Sequence, residues 1–376
     1  MRPIQMVDLQ LQYQNIRQEI DVAIANVLES SAFINGPQVQ SFAKALADYN
    51  EVKHVIPCGN GTDALQIAMM ALGLKPGDEV ITPSFTFIAT AEVIGLLGLR
   101  PVFVDVDPKT FCIDPAAIEK AVTEKTKAIV PVHLYGQAAD MERIMEIASR
   151  HNLFVIEDNA QAIGNDYTFS DGVTRKTGAI GTIGTTSFFP SKNLGCYGDG
   201  GAMMTNDDTL ATTLKMVANH GQSKKYYHDL VGCNSRLDTL QAVVLEIKLK
   251  HLDQYIAARR KVADYYDAAF KSEARLTTPF RAPNNKHVFH QYTLLLEGID
   301  RDAMQQYLSE NNIPSMIYYP VPAHKQKMFA KYHTSEADLP VTNWLTERVI
   351  SLPIHTEMDE EQLQFIAEKV IEFVNK

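Results

Sequence analysis

The chain has 376 residues, with 35 basic and 45 acidic side chains, a formal net charge of −10, 45% hydrophobic residues and 21% charged residues. That length exceeds one ordinary domain, and that composition is of a soluble globular protein, so two lobes of unequal size are expected. An acidic balance with no basic run argues against nucleic acid as a partner.

The opening segment, MRPIQMVDLQLQYQ, lacks the basic and apolar regions of a signal peptide and reads as an N-terminal arm of about 15 residues. Residues 88–99, IATAEVIGLLGL, form an apolar run that contains Glu92 and is too short to span a bilayer. A cytoplasmic protein without membrane contact is therefore expected. From residue 52 to about 215, short apolar runs alternate with amphipathic stretches. Strands are predicted at 54–58, 79–83, 100–106, 127–134, 153–158, 185–189 and 201–206, with helices such as 62–74 and 141–152 between them. Val- and Ile-rich strands that alternate with helices predict βαβ units and a mainly parallel sheet. Residues 236–270 read as one long helix or two in succession. A strand over 287–298, a helix over 302–311 and a C-terminal helix follow, which predicts a small α+β lobe. The domains are drawn at 1–250 and 251–376. Cys58, Cys112, Cys196 and Cys233 are widely spaced, so they read as buried thiols, and no metal site is expected.

Three segments carry chemistry. In Cys58-Gly59-Asn60-Gly61-Thr62-Asp63-Ala64 a strand runs into glycines and a helix begins near Thr62, which suits phosphate binding at a helix N-terminus. The same residues match a loose dinucleotide fingerprint, and a capped turn without ligand is the plain alternative. In IEDNAQAIG, Asp158 ends an apolar strand, where α/β sheets place ligand groups. Its carboxylate suits a protonated pyridine nitrogen such as that of pyridoxal phosphate, and a helix cap is the alternative. In SFFPSKNLGCYGDGG, Lys192 is flanked by FFP and NLG with few solvated neighbours, where desolvation favours the neutral amine that Schiff-base chemistry needs. Ser187 precedes it by one strand end and adds a hydroxyl for phosphate.

With these motifs placed, the chain resembles the DegT/DnrJ/EryC1/StrS family of PLP-dependent nucleotide-sugar aminotransferases. GNGTDAL, GDEVITPSFTFIATAE, IEDNAQAIG, SFFPSKNLGCYGDGG, HGQ…NSRLDTLQA and YYPVPAHKQ carry the resemblance. It implies an α/β protein of the aspartate-aminotransferase type, PLP fold type I, with a large mainly parallel sheet domain and a small C-terminal α+β domain, working as a homodimer with a shared active site. Lys192 is similar to the family's Schiff-base lysine and Asp158 to its pyridine partner. Gln161 matches the residue near the cofactor's phenolic oxygen. Gly61, Thr62, Asp63 and Ser187 resemble the phosphate cradle, and Asn234 a phosphate contact from the other subunit. Phe87 falls where a ring stacks on the cofactor, with a core phenylalanine as the alternative. Arg236, Tyr318 and Tyr319 resemble substrate-facing walls, and His220 either lines the site or completes a turn.

A dehydratase branch of this fold carries histidine at the lysine position, so Lys192 implies transamination. The run after Lys192 is most similar to enzymes that aminate 3-keto sugars, in particular UDP-2-acetamido-2-deoxy-3-oxo-glucuronate, with glutamate as donor. Such products feed surface polysaccharides, including lipopolysaccharide O-antigen. Amination of a dTDP-keto-6-deoxyhexose at C3 or C4, a catalytically inactive PLP-fold regulator and a nicotinamide-dependent oxidoreductase are the competing readings. Residues 166–178 look longer than is usual in the family, and their role is left open.

Overall fold

The computed structural model describes residues 1–332, 334 and 338–376. Residues 1–8 precede the first helix, α1 (Leu9–Ser30), which begins inside the stretch read as an arm. Helix α2 (Pro37–Asn50) leads into β1 (His54–Cys58), α3 (Gly61–Ala71), β2 (Glu79–Pro83), α4 (Ala89–Leu96) and β3 (Arg100–Val104). Then come α5 (Pro115–Ala121), β4 (Thr126–Ile129), α6 (Met141–His151) and β5 (Phe154–Asp158). Strands β6 (Asp166–Thr168) and β7 (Thr174–Lys176) pair antiparallel, so the long 166–178 segment is a hairpin. Strands β8 (Ile183–Ser187) and β9 (Gly201–Thr205), α7 (Asp208–Ala218), and the short β10 (Gln222–Lys224) and β11 (Tyr227–His228) precede the 32-residue helix α8 (Thr239–Phe270). The remainder is β12 (Leu276–Thr277), β13 (Tyr292–Leu296), α9 (Arg301–Glu310), α10 (Pro340–Thr346), β14 (Val349–Leu352) and α11 (Glu360–Val374).

Seven strands form one sheet in the order β1-β9-β8-β5-β4-β2-β3. All neighbours from β8 to β3 are parallel, whereas β9 is antiparallel to both β8 and β1. Strand β1 therefore runs in the same direction as β8. The inner strands are buried along nearly their whole length, which is why they read as continuous apolar runs rather than as alternation. Leu65, Ala68, Val93 and Leu214 pack in one core beside the sheet, and Ile118, Ile144 and Ile147 in another. As a result, the carboxyl ends of β1, β2, β5 and β8 all open on the same edge, where such sheets bind ligands.

The antiparallel sheet β12-β13-β14 builds a second core with α9 and α11. Helix α8 is continuous, so the boundary drawn at 250/251 falls inside it. Its side chains through Ile256 pack with β1, β9 and α2, whereas Val262, Ala263, Tyr266 and Phe270 pack in the second core. Ile4 also joins that core, and Arg2 bonds the Asp359 carboxylate at 3.0 Å. No described helix is long and apolar enough to cross a membrane.

The strand expected over 287–298 is shorter than its sequence suggests, spanning only Tyr292–Leu296. Ahead of it, Phe289 has a positive φ of 48°, and the carbonyls of Phe289 and His290 turn toward α8 instead of a strand partner. Buried Arg259 Nη1 donates to those carbonyls at 3.2 and 3.3 Å and to Ile354 O at 2.9 Å. One guanidinium thus ties two backbone segments to α8, and buried carbonyls without a donor are costly. Arg259→Met should lower unfolding stability by about 3 kcal/mol in denaturant titration; a loss below about 1 kcal/mol would show that the ties are not needed.

Candidate active site

Asp158 closes β5, and its carboxylate is 6% exposed. Desolvating a carboxylate is expensive unless donors replace the lost water. Here Thr90 Oγ1, from α4, donates to Asp158 Oδ2 at 2.7 Å, and the Ala160 N–H donates to Oδ1 at 3.2 Å. Thr86 supports Thr90 through a hydroxyl contact of 3.1 Å. These few donors leave lone pairs of the carboxylate unspent, so Asp158 is held in place yet able to take one more cationic donor. It does not cap a helix.

Lys192 follows β8 in the loop that leads to β9, with its N–H on Phe189 O at 2.8 Å. It keeps some solvent access but is enclosed enough that burial pulls its pKa down to about 8, against the opposing field of Asp158. An amine in that range is a competent nucleophile near neutral pH. The next residue, Asn193, donates to Val288 O at 2.9 Å, which fastens the lysine loop to the segment ahead of β13. Buried His290, in that segment, is pushed well below its ordinary pKa by burial, then by Lys192 and Arg259, and is therefore neutral.

The cradle at the start of α3 is built from backbone. Asn60 caps the helix by accepting the Asp63 N–H at 2.8 Å, and its carbonyl takes the Ala64 N–H at 3.1 Å. The N–H groups of Gly61 and Thr62 stand ahead of the first helical bond, unspent. Ser187 faces them, since a Cβ on Gly61 would lie 2.7 Å from Ser187 Cβ and 3.3 Å from its Oγ. Glycine at 61 is what lets the β8 hydroxyl and the helix N-terminus meet, a geometry suited to a phosphate. Asp63 is turned the other way: Ser235 Oγ donates to its Oδ2 at 2.5 Å and accepts the Gly59 N–H at 2.8 Å. The Asp63 contribution to the cradle is thus structural, as its own N–H is committed to Asn60.

Gln161 is buried; it accepts the Tyr135 N–H at 2.7 Å and donates to the Tyr319 hydroxyl at 3.0 Å. Phe87 is not a core residue, being 53% exposed beside Tyr319 with ring centroids 6.2 Å apart; the core phenylalanine of that segment is Phe85. Tyr318 is anchored through its carbonyl by the Tyr135 hydroxyl. Arg236 is half-buried, with no acidic partner among the described residues, and its carbonyl lies near Gly59. Two residues are not gathered in. Asn234 is exposed, and His220 is an exposed turn residue with φ of 58°, its N–H on Cys233 O at 2.8 Å and its carbonyl beside His228 Nδ1 at 2.9 Å. Cys233 is only half-buried, unlike the other three cysteines.

Sequence reasoning missed Thr90, Tyr135, Ser235 and His290. Thr90 lies in the quoted run GDEVITPSFTFIATAE, but nothing in its spacing announces a partner 68 residues away. Tyr135 acts through a left-handed backbone, φ 57°, which no side-chain pattern displays.

A recessed lysine electrostatically coupled to a strand-end carboxylate, on a sheet edge that also carries a helix N-terminus, suits a lysine-dependent α/β enzyme that handles a phosphorylated aldehyde. The sequence pattern of the DegT/DnrJ/EryC1/StrS aminotransferase family matches residues 14–371, and the chain belongs to that family. It is 48% identical to the "Pleiotropic regulatory protein" of Geobacillus stearothermophilus, covering 98% of each chain. It is 46% identical to the UDP-2-acetamido-2-deoxy-3-oxo-D-glucuronate aminotransferase of Pseudomonas aeruginosa, over 96% of this chain and 98% of the relative. The solved structure of DesV from S. venezuelae superposes with a TM-score of 0.95 at 38% identity, covering 100% of both chains. The fold is accordingly PLP fold type I. Aminotransferases of this family use pyridoxal phosphate, and Lys192, Asp158 and the Gly61–Ser187 cradle fit that cofactor.

The lowered lysine pKa has a definite sign. The neutral amine exists above a pH of about 8 rather than above the ordinary 10.5. Capture of added pyridoxal phosphate by cofactor-free protein, followed by visible absorbance, should rise with pH around a midpoint near 8. Asp158→Asn removes the charge that favours the ammonium and should move that midpoint down; an upward move would contradict the assigned coupling.

Proposed function

We propose that this aminotransferase moves an amino group from glutamate to C3 of UDP-2-acetamido-2-deoxy-3-oxo-glucuronate, in the cytoplasm, for surface polysaccharide synthesis including O-antigen. The observation that carries the transamination is Lys192 held near pKa 8 beside Asp158. Support for the sugar comes from the run following Lys192 and from the Pseudomonas aeruginosa relative of that specificity. Arg236, without an acidic partner among the described residues, supplies a cation for a uronate carboxylate, which a 6-deoxyhexose lacks.

When bound, pyridoxal phosphate supplies an aldehyde that carries the amino group and a ring that takes up electrons as the donor's Cα–H bond breaks. Lys192 holds that aldehyde at rest and yields it to glutamate. Freed, its Nζ removes the proton from the glutamate Cα, and in the second half-reaction it delivers a proton to the sugar carbon that gains nitrogen. Asp158 keeps the ring nitrogen protonated by pairing with it, and Thr90 keeps Asp158 aimed. Gly61, Thr62 and Ser187 hold the phosphate. An inactive regulator would have no use for a lysine and carboxylate in this relation, which favours the enzyme reading over the regulatory one.

The assay offers glutamate with UDP- and dTDP-linked 3-keto and 4-keto sugars and detects the amino sugar by mass spectrometry. The UDP 3-keto uronate should be consumed fastest, and Lys192→Ala should lose at least about 1,000-fold. Preference for a dTDP 6-deoxy substrate would overturn the assigned sugar.

A homodimer with a shared site also belongs to this proposal, with Asn234 reaching the partner's phosphate. Mixing Lys192→Ala with Asn234→Ala subunits should restore roughly a quarter of wild-type activity, because only mixed dimers hold one intact site. No recovery after verified subunit exchange would place Asn234 outside the shared site.

A further inference from the structure

An ionised carboxylate only accepts, and this fixes the direction of the hydrogen bonds behind Asp158. Thr90 Oγ1 stands 2.7 Å from Asp158 Oδ2, so the one proton of that hydroxyl is spent on the carboxylate. The Thr86 hydroxyl, 3.1 Å from Thr90 Oγ1, must then donate to it, because Thr90 has no second proton to give. Both side chains are buried, Thr90 completely and Thr86 at 4% exposure, so bulk water does not compete for either proton.

These two hydroxyls form a one-way relay across the sheet edge. Thr86 follows β2, Thr90 lies in the first turn of α4, and Asp158 ends β5, two strands away from β2. Backbone bonds pin both ends. The Asp158 N–H is on Pro131 O at 2.9 Å and its carbonyl takes the His133 N–H at 3.1 Å, while the Thr90 N–H is on Phe87 O at 3.3 Å. Ala89 and Ala91, on either side of Thr90, are buried and add no bulk that would hold α4 away from the carboxylate. A hydroxyl that accepts one hydrogen bond donates a stronger one, and a donor fixed on a carboxylate oxygen favours the ionised form over the acid.

We infer that Thr90 is a positioning residue for Asp158, with Thr86 as its support: the directed pair of hydroxyls keeps the carboxylate ionised and aimed, so that the shared proton stays on the cofactor's ring nitrogen. This rests on the pairing of Asp158 with that nitrogen proposed above, and it holds for any acceptor sugar. Without the Thr90 hydroxyl, Asp158 keeps only the 3.2 Å bond from the Ala160 N–H as a protein donor. The carboxylate then competes for the ring proton, and the buried Thr86 hydroxyl is left without its acceptor.

In holoenzyme loaded with pyridoxal phosphate carrying the heavy nitrogen isotope in its ring, NMR reads the proton directly, since the resonance moves when the nitrogen loses it. The wild-type resonance should stay at the protonated position across the neutral pH range. Thr90→Val keeps the shape and removes the donor. It should move the resonance toward the unprotonated position, raise the Kd for the cofactor about 10-fold and slow the bleaching of the visible absorbance by glutamate about 10- to 100-fold. Thr90→Ala provides the same measurement should the valine variant not fold. Thr90→Ser returns the hydroxyl and should recover most of all three readouts. Thr86→Val leaves the Thr90 proton on Asp158, so it should cost about threefold or less, and it should add little to Thr90→Val. An unmoved resonance in Thr90→Val and Thr90→Ala overturns the inference, whatever the rate does. So does a Thr90→Ser variant no better than Thr90→Val, or a Thr86→Val variant worse than it. Asp158→Asn should move the resonance at least as far; if it leaves the nitrogen protonated, the failure belongs to the pairing of Asp158 with the ring, not to Thr90.

Discussion

The structure turns on a carboxylate kept in a place where carboxylates are expensive. Asp158 sits 6% exposed at the end of a buried parallel strand, with the Thr90 hydroxyl and one backbone N–H as its protein donors. That is less than an ionised carboxylate accepts when fully satisfied, and the shortfall is what makes the site receptive to a protonated ring nitrogen. Its field also opposes the desolvation of Lys192, which leaves the amine at about 8 rather than lower. One buried charge therefore raises the pKa of the lysine and keeps acceptor capacity free for a cationic donor.

The rest of the molecule can be understood as support for that edge of the sheet. Strands β1, β2, β5 and β8 share a direction, so the helix N-terminus after β1, the aromatic segment after β2, Asp158 and Ser187 all arrive together. The second core contributes through its links rather than its bulk. Asn193 ties the lysine loop to Val288, and Arg259 ties the adjoining carbonyls to α8 and to the chain after β14. The Tyr318–Tyr319 segment returns to the same place through Tyr135 and Gln161. A long, unbroken α8 that serves both cores gives these links a common frame.

Much of this was legible in the chain itself, because strand ends and glycine turns leave local marks. Lys192, Asp158 and the Gly59–Asp63 turn each follow an apolar strand and stand at a break in hydrophobicity, and their combination rather than any one of them pointed to the chemistry. The parallel sheet followed from Val- and Ile-rich runs alternating with amphipathic helices. Less legible were places where a local pattern is overruled. HVFHQYTLLLEG reads as one strand, yet its first half bends to meet Arg259, and no strand propensity reveals a guanidinium 30 residues earlier in the chain.

The sequence by itself determined which chemical groups exist and at which strand ends they stand, since burial of apolar runs leaves a sheet little freedom about which residues lie at its carboxyl edge. Tertiary structure alone decided which of those groups meet. Thr90 reaches Asp158 across 68 residues, Gln161 is oriented by a backbone N–H, and Phe87 is exposed while Phe85 is buried. Each of these depends on backbone direction and hydrogen-bond geometry between distant segments, and neither is written in the identity of any one residue. Lys192 shows the same division: its type came from the sequence, and its lowered pKa came from what the fold packed around it.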